Sequence, residues 1–282
     1  MKGTAYLLQA VLMFLWWIGL YTSNEFFNAF QFPEIDKVAF LSFFIPDILV
    51  VGVLSVVRAY YDRRILEYII LGGFSYAALY CMNATYLTGG GYLATTVMTL
   101  GLCYNLFLVF DKKVFKESKS NSFPVNGIKT LVQILCVWTI TLVVFPWIIL
   151  EAFGNNFSVS ESYQTMGYCL LAVFSLFGLY SAYTMVRHGN GTPLPLDQTK
   201  RLVVKGPYRY VRNPMAIAGL GQGIAVSLLL GSVHIFIYTL VGAVLWQFVV
   251  RPIEEKNMAA RFGSEYERYR NEVRCWIPRF GK

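Results

Sequence analysis

The feature that most constrains this chain is a series of eight apolar runs, each long enough to cross a bilayer as an α-helix. The chain is 56% hydrophobic and 14% charged, with a mean hydropathy of +0.50, whereas roughly a quarter of the residues in a soluble domain are charged. The sequence therefore predicts an all-α, polytopic membrane protein with about eight transmembrane helices. The runs are residues 5–21, 38–57, 68–87, 92–110, 130–150, 165–186, 215–230 and 232–250.

The cationic residues test this count, because loops rich in Lys and Arg stay in the cytoplasm. Of the 24 Lys and Arg residues, 23 fall in connections that the count assigns to one side, and Lys37 falls on the other. This predicts an integral, multi-pass membrane protein with both termini in the cytoplasm. The net charge of +8 is then explained by the loops, and no nucleic-acid partner is expected. The first run exceeds a typical signal-peptide core and lacks a cleavage pattern, so we interpret it as a helix.

Polar sequence is concentrated in the last third of the chain. The connections before residue 187 are simple, whereas residues 187–214 and 251–282 form long polar segments. We therefore divide the chain into an N-terminal transmembrane bundle of six helices, residues 1–186, and a catalytic core, residues 187–282, with a helical cytoplasmic region. Residues 111–120 are interpreted as a solvated cationic loop that also favours anionic lipid.

The last two runs predict a helical hairpin that brings distant polar stretches together. Pro214 opens the first helix, where a missing N–H costs nothing, and the two runs meet at about Gly231. Forty residues separate Pro214 from Glu254, which is about two crossings of a thin apolar slab. Residues 212–214 and 251–255 are therefore expected to return to the same cytoplasmic face and line one pocket.

Small residues and a broken tail flank this hairpin. Gly219, Gly221 and Gly223 allow another backbone or a flat ligand to approach closely, although such glycines are by themselves more typical of helix packing. Beyond the hairpin, a short helix is expected to close at Gly263, and residues 264–267 form a capping box that starts another helix.

These residues resemble a known superfamily. The stretches GPYRYVRNP (206–214), GLGQG (219–223), RPIEE (251–255), FGSEYERYR (262–270) and WIPRF (276–280) resemble the isoprenylcysteine carboxyl methyltransferase and phospholipid methyltransferase superfamily of integral-membrane methyltransferases. Each motif is weak alone, but five in this order and spacing are specific, and they cover about a third of the chain. Where the family commonly has Arg-His-Pro, this chain has Arg212-Asn213-Pro214, and Asn213 cannot carry out imidazole protonation.

The resemblance implies S-adenosyl-L-methionine bound between the hairpin and the tail, with a lipid-like or lipidated acceptor entering from the bilayer. Glu254 or Glu255 would engage the ribose hydroxyls or the amino group of the cofactor. Arg251 or Arg212 could orient a carboxylate acceptor, and an amine acceptor would need a base such as Glu254. The implied cofactor-binding residues are Tyr208, Arg212, Asn213, Pro214, Gly219, Gly221, Gln222, Glu254 and Glu255, and the implied catalytic residues are Arg251 and Glu254.

Three functions are compatible with this sequence. The first is carboxyl O-methylation of a hydrophobic or lipid-linked acceptor, the second is phospholipid N-methylation, and the third is a non-enzymatic transporter or lipid-binding scaffold. The third is disfavoured because Asp47 is the only acidic residue well inside a predicted span, and carrier-like repeats are not visible. A neighbouring helix could equally supply a partner for Asp47. The five cysteines lack metal-ligand spacing, so no metal site is predicted.

Overall fold

The regular structure is helical throughout the described part of the chain. The computed structural model describes residues 2–110, 116–194 and 197–278. The predictions for residues 111–115 of the cationic loop and for residues 279–282, with the end of WIPRF, lie outside these ranges. The helices are α1 (Lys2–Thr22), α2 (Asn24–Phe30), α3 (Lys37–Tyr60), α4 (Arg64–Thr88), α5 (Tyr92–Phe110), α6 (Phe123–Phe153), α7 (Glu161–Gly189), α8 (Pro214–Leu229), α9 (Val233–Leu245) and α10 (Arg251–Glu272).

The predicted all-α polytopic membrane fold is confirmed. Within the described residues, seven helical segments are long and apolar enough to cross a membrane. The eighth, α8, has 16 residues and is about 24 Å long, less than the ~30 Å hydrocarbon layer. The count of eight spans therefore stays a prediction. α9 continues into α10, but the apolar run ends at Val250, so the charged helix α10 lies outside the membrane-spanning segment.

A widened, π-helical turn next to a proline occurs in α3, in α6 and between α9 and α10. These turns are Asp47–Val53, Thr139–Val144 and Trp246–Val250, beside Pro46, Pro146 and Pro252. Proline cannot donate to the carbonyl four residues earlier, and its ring crowds that carbonyl. At Pro146 and Pro252 this carbonyl, of Leu142 and Phe248, lies inside the wider turn, which relieves the conflict without ending the helix. The turn Asp47–Val53 follows its proline, so this argument does not apply to it.

The contacts divide the chain into two compact units, residues 1–112 with 151–153 and residues 113–150 with 154–282. Most of α6 and all of α7 thus pack with the C-terminal region. The predicted division into residues 1–186 and a catalytic core of residues 187–282 stays a prediction.

The first unit is held together by apolar packing and by buried polar bonds between helices. Gln9 of α1 donates to Ser55 Oγ of α3 at 2.8 Å and accepts a bond from Asn105 of α5 at 2.8 Å. Such bonds join helices that have no hydrophobic driving force between them in lipid. Asp47 accepts a bond from Trp17 Nε1 at 3.1 Å, so the polar residue inside the second predicted span has a partner on α1.

In the second unit, α8 packs closely against α7. A Cβ on Gly221 would lie 2.3 Å from the ring of Phe174, so only glycine fits there. Gln222, which is buried, donates to Ser175 Oγ of α7 at 2.9 Å. The turn between α8 and α9 contains Gly231 with a φ of +59°, as the predicted tight hairpin requires. This hairpin returns the chain to the end at which α8 began.

Candidate functional site

A cavity of about 340 Å³ lies where the hairpin returns. Its wall is formed by the end of α7, residues 192–194 and 198–203, the start of α8 and the polar helix α10. Cavities of roughly 300 to 1,000 Å³ are typical of cofactor and small-molecule sites. The polar residues of its lining are Thr192, Gln198, Thr199, Tyr208, Arg212, Asn213, Glu254, Glu255, Arg261, Tyr266 and Tyr269, and the remainder is apolar.

Arg212 joins the stretch before α8 to α10 and to the tail that follows it. Its Nη2 donates to Glu255 Oε1 of α10 at 2.9 Å, and its Nη1 donates to the carbonyls of Arg270 and Val273 at 2.9 and 2.6 Å. Its own backbone N–H donates to the carbonyl of Arg274 at 3.0 Å. The structure therefore brings residues 212–214 and 251–255 together, as the hairpin predicted, and Arg212 also clamps the tail onto them.

The two adjacent carboxylates of α10 have different environments. Glu255 Oε1 accepts bonds from both Arg212 at 2.9 Å and Arg251 at 2.8 Å. Although burial opposes ionisation, these two guanidinium groups hold the pKa of Glu255 below its usual value. Glu254 lines the cavity, with no hydrogen bond or ion pair in the described part of the chain. Burial, with a smaller contribution from the charge of Glu255, raises the pKa of Glu254 to about 7.

Two tyrosines and an arginine complete the polar wall. The hydroxyl of Tyr269 donates to the carbonyl of Tyr208 at 2.6 Å, which holds the loop before α8 against α10. Burial raises the pKa of Tyr208, and the hydroxyl therefore stays protonated. Arg261 donates to Gln198 Oε1 at 3.0 Å and to the carbonyl of Thr199, which fixes the segment after α7.

Several buried donors around the cavity have no partner within the described residues. They are the hydroxyl of Tyr208, Nε of Arg212 and Nε of Arg261. A buried donor without a partner costs about 1–3 kcal/mol, and each of these three atoms belongs to a residue of the cavity lining.

The structure separates the predicted site residues into two groups. Tyr208, Arg212, Asn213, Glu254 and Glu255 line the cavity. The others lie outside its lining, and their assigned roles stay predictions: Pro214 is the buried first residue of α8, Gly221 and Gln222 pack against α7, Gly219 lines a different cavity, and Arg251 is held by Glu255.

That second cavity, of about 320 Å³, is mainly apolar and lies between α6, α8 and α9. Gly219 opens into it, as do aromatic side chains from three parts of the unit, Trp138, Tyr238 and Trp276. Met215, Ala216 and Trp246 line both cavities. A polar cavity outside the apolar run is therefore adjoined by an apolar one between membrane helices.

Several lining residues escaped the sequence interpretation, chiefly Met258, Arg261 and Tyr269. Glu254, Met258 and Arg261 follow one another at intervals of four and three residues, which places them on one face of α10. Because Glu254 was already a candidate site residue, this spacing could have predicted Met258 and Arg261 as lining residues.

The fold and the cavity define a class: a polytopic helical membrane protein with a cavity lined by charged and polar side chains at the end of its helical hairpin. Residues 163–265 match the family model described as phospholipid methyltransferase. The chain also resembles the protein-S-isoprenylcysteine O-methyltransferase of Schizosaccharomyces pombe, with 38% identity over 80 residues, 27% of this chain and 33% of the relative. The C-terminal region is therefore similar to the superfamily of membrane methyltransferases that the motifs resemble.

The extent of these similarities is limited. The chain spans about a third of the length of the curated relative it matches. Among solved structures, it is similar to the eukaryotic intramembrane Ras methyltransferase ICMT (isoprenylcysteine carboxyl methyltransferase), with a TM-score of 0.33 and 15% identity over 99% of this chain and 96% of that one. A TM-score of this size is below that usual for proteins of one fold.

Proposed function

We propose that this chain is a membrane methyltransferase that uses S-adenosyl-L-methionine to methylate a carboxylate on a hydrophobic or lipid-linked acceptor. The observation that carries the proposal is the pair of adjoining cavities, one polar and one apolar, which share Met215, Ala216 and Trp246. A polar cofactor and an apolar acceptor need two environments that meet at one point, and transfer takes place where they meet.

The residues of the polar cavity fit the cofactor. The guanidinium charges of Arg212 and Arg261 attract its carboxylate, and its amino group and ribose hydroxyls can donate to the free carboxylate of Glu254. Asn213, whose amide donates to Cys275 Sγ at 3.8 Å, and Tyr208 add further polar groups. When bound, the cofactor supplies a methyl group on a positively charged sulfur, which is an activated leaving group.

The protein's contribution to transfer is positioning and the exclusion of water. A carboxylate acceptor is already ionised at neutral pH, so its oxygen can attack the methyl carbon while the sulfur keeps the electron pair of the broken bond. No general base is needed. Arg251 and Arg212, the candidates to orient this carboxylate, both donate to Glu255, and Arg261 donates to Glu117 at 3.1 Å, so this role is not assigned to one of them.

Phospholipid N-methylation is the second candidate, and one observation favours it. The pKa of Glu254 is raised to about 7, which suits a base that accepts a proton from an ammonium headgroup near neutral pH.

The topology is also part of the proposal: we infer that both termini and the polar cavity face the cytoplasm, because Lys and Arg are concentrated in the connections on that side.

Incubation of the purified protein with methyl-labelled cofactor and either an S-isoprenylated cysteine or phosphatidylethanolamine tests the proposal. We expect label in the isoprenylcysteine product and its release by mild alkali, because only a carboxyl ester is so hydrolysed. Glu254→Gln should reduce the rate about tenfold or more, whereas the matched exposed substitution Lys256→Gln should not. Alkali-stable label in phosphatidylethanolamine would favour N-methylation, and an absence of label in both acceptors would reject the proposal.

A further inference from the structure

A third, strongly basic cleft of about 530 Å³ lies at the end of α7 and shares Leu202 with the polar cavity. Its lining carries Arg187, His188, Lys200, Arg201 and Lys205, against the single carboxylate of Glu265. We propose that this cleft binds the phosphate headgroup of an anionic phospholipid of the surrounding bilayer. This proposal does not depend on the methyl-transfer reaction.

The cations of the cleft are available to a ligand. Within the described residues, none of Arg187, Lys200, Arg201 and Lys205 forms an ion pair with a carboxylate. Lys200 donates to the neutral amide oxygen of Asn121 at 2.6 Å, and Arg187 stacks over the ring of Phe123. Several unneutralised cations around one concave space create a positive potential that attracts a multivalent anion such as a phosphate.

The cleft has a fixed frame rather than being a chance cluster of surface lysines. The backbone amides of Lys200 and Arg201 both donate to the carbonyl of Gly189, at 2.7 and 3.1 Å. These bonds tie the segment after residue 199 to the last turn of α7, and Asn190 closes that helix in the left-handed conformation. The cations at the end of α7 and those of residues 200–205 are therefore held on either side of the cleft.

The position of the cleft, at the end of a long membrane helix, favours a lipid over other anions. α7 has 29 residues and is about 43 Å long, which exceeds the ~30 Å hydrocarbon layer, so its ends extend into the headgroup region. Arg187 and His188 occupy its last turn. Leu202, Val204 and Phe262 add apolar surface to the same cleft, which suits the glycerol and upper acyl segments that a free phosphate or an acidic peptide lacks.

The proposal is tested by measuring lipid binding to the detergent-solubilised protein by native mass spectrometry. The probes are phosphatidylglycerol and phosphatidylcholine with the same acyl chains. We expect preferential binding of phosphatidylglycerol, weakened by salt. Arg201→Gln with Lys205→Gln removes two exposed cations that have no ion-pair partner in the described chain, and should weaken this binding about 25-fold, since each cation near an anionic lipid is worth about fivefold.

The matched control removes the same charge from the same unit, outside the cleft. Lys256→Gln with Arg268→Gln, both exposed, should change the affinity less than about twofold. Equal binding of the two lipids, an equal loss in the control, or no loss in the cleft variant would overturn the proposal. So would displacement of the lipid by inorganic phosphate or by an acidic peptide at equal concentration, because the site would then recognise a free anion or a protein partner. Thermal unfolding in detergent checks that each variant is folded.

Discussion

Replacing Arg212 by Ala should release the C-terminal tail from the wall of the polar cavity. The substitution removes three side-chain hydrogen bonds, and two of them, to Glu255 and to the carbonyl of Val273, are partly buried. A hydrogen bond to a charged group contributes about 1.5–3 kcal/mol, so these two alone stabilise the closed tail by about 3 kcal/mol. Since 1.4 kcal/mol is a factor of ten, the open population should rise about 100-fold.

Cys275 reports this opening, because it is buried beside Asn213 and becomes accessible to a maleimide only when the tail detaches. When closing is faster than modification, the labelling rate follows the open population. The measurement uses a background in which the other cysteines are replaced by Ala: Cys81, Cys103, Cys136 and Cys169. Arg212→Lys should give an intermediate rate, and Arg268→Ala, an exposed position, the rate of the parent. A labelling rate for Arg212→Ala within about threefold of the parent would refute the claim that Arg212 holds the tail in place.

Two further predictions follow from the site and its helix packing. Because the pKa of Glu254 is about 7 and its ionised form is the one that would hold the cofactor, cofactor affinity should fall as pH decreases through 7, by up to about tenfold per pH unit. Titrations in Glu254→Gln should be nearly independent of pH below 7, and a parallel fall in that variant would contradict the assignment. Gly221→Ala should lower thermal stability by about 1–3 kcal/mol, because its Cβ would overlap Phe174. Gly219→Ala, with nothing within 4 Å, should leave stability equal or higher, and equal melting of the two variants would contradict the packing.

The architecture of the site was predictable from lengths and charges. The hairpin is short and its turn is tight, so the residues before α8 and after α9 had to return to one end, and the Arg212–Glu255 bond at 2.9 Å is the result. The break at Gly263 was also predictable, and the structure confirms it with a non-helical φ of 51°. These features depend on local geometry, which the sequence specifies directly.

The assignment of neighbouring residues was not predictable. Glu254 and Glu255 are about 100° apart on a helix, and only the packing of α10 decides that one is bound by arginines while the other faces the cavity. Gly219 and Gly221 differ in the same way, since one lines the apolar cavity and the other packs on α7.

Contacts between distant segments were also invisible in the sequence. Gln198 exchanges backbone bonds with Lys116 and Ser118, at 2.7 and 3.0 Å, and its side chain binds Arg261. No sequence pattern in either stretch predicts this contact, because the packing of the helices decides which irregular segments form hydrogen bonds with each other.

The central claim is that the stretches before α8 and after α9 form one site for S-adenosyl-L-methionine. Calorimetric titration of the solubilised protein with this cofactor tests it most directly. The account predicts one saturable site whose affinity falls about tenfold or more in Glu254→Ala and is unchanged in Lys256→Ala. Heat that does not saturate, or an affinity that Glu254→Ala leaves unchanged, would contradict it.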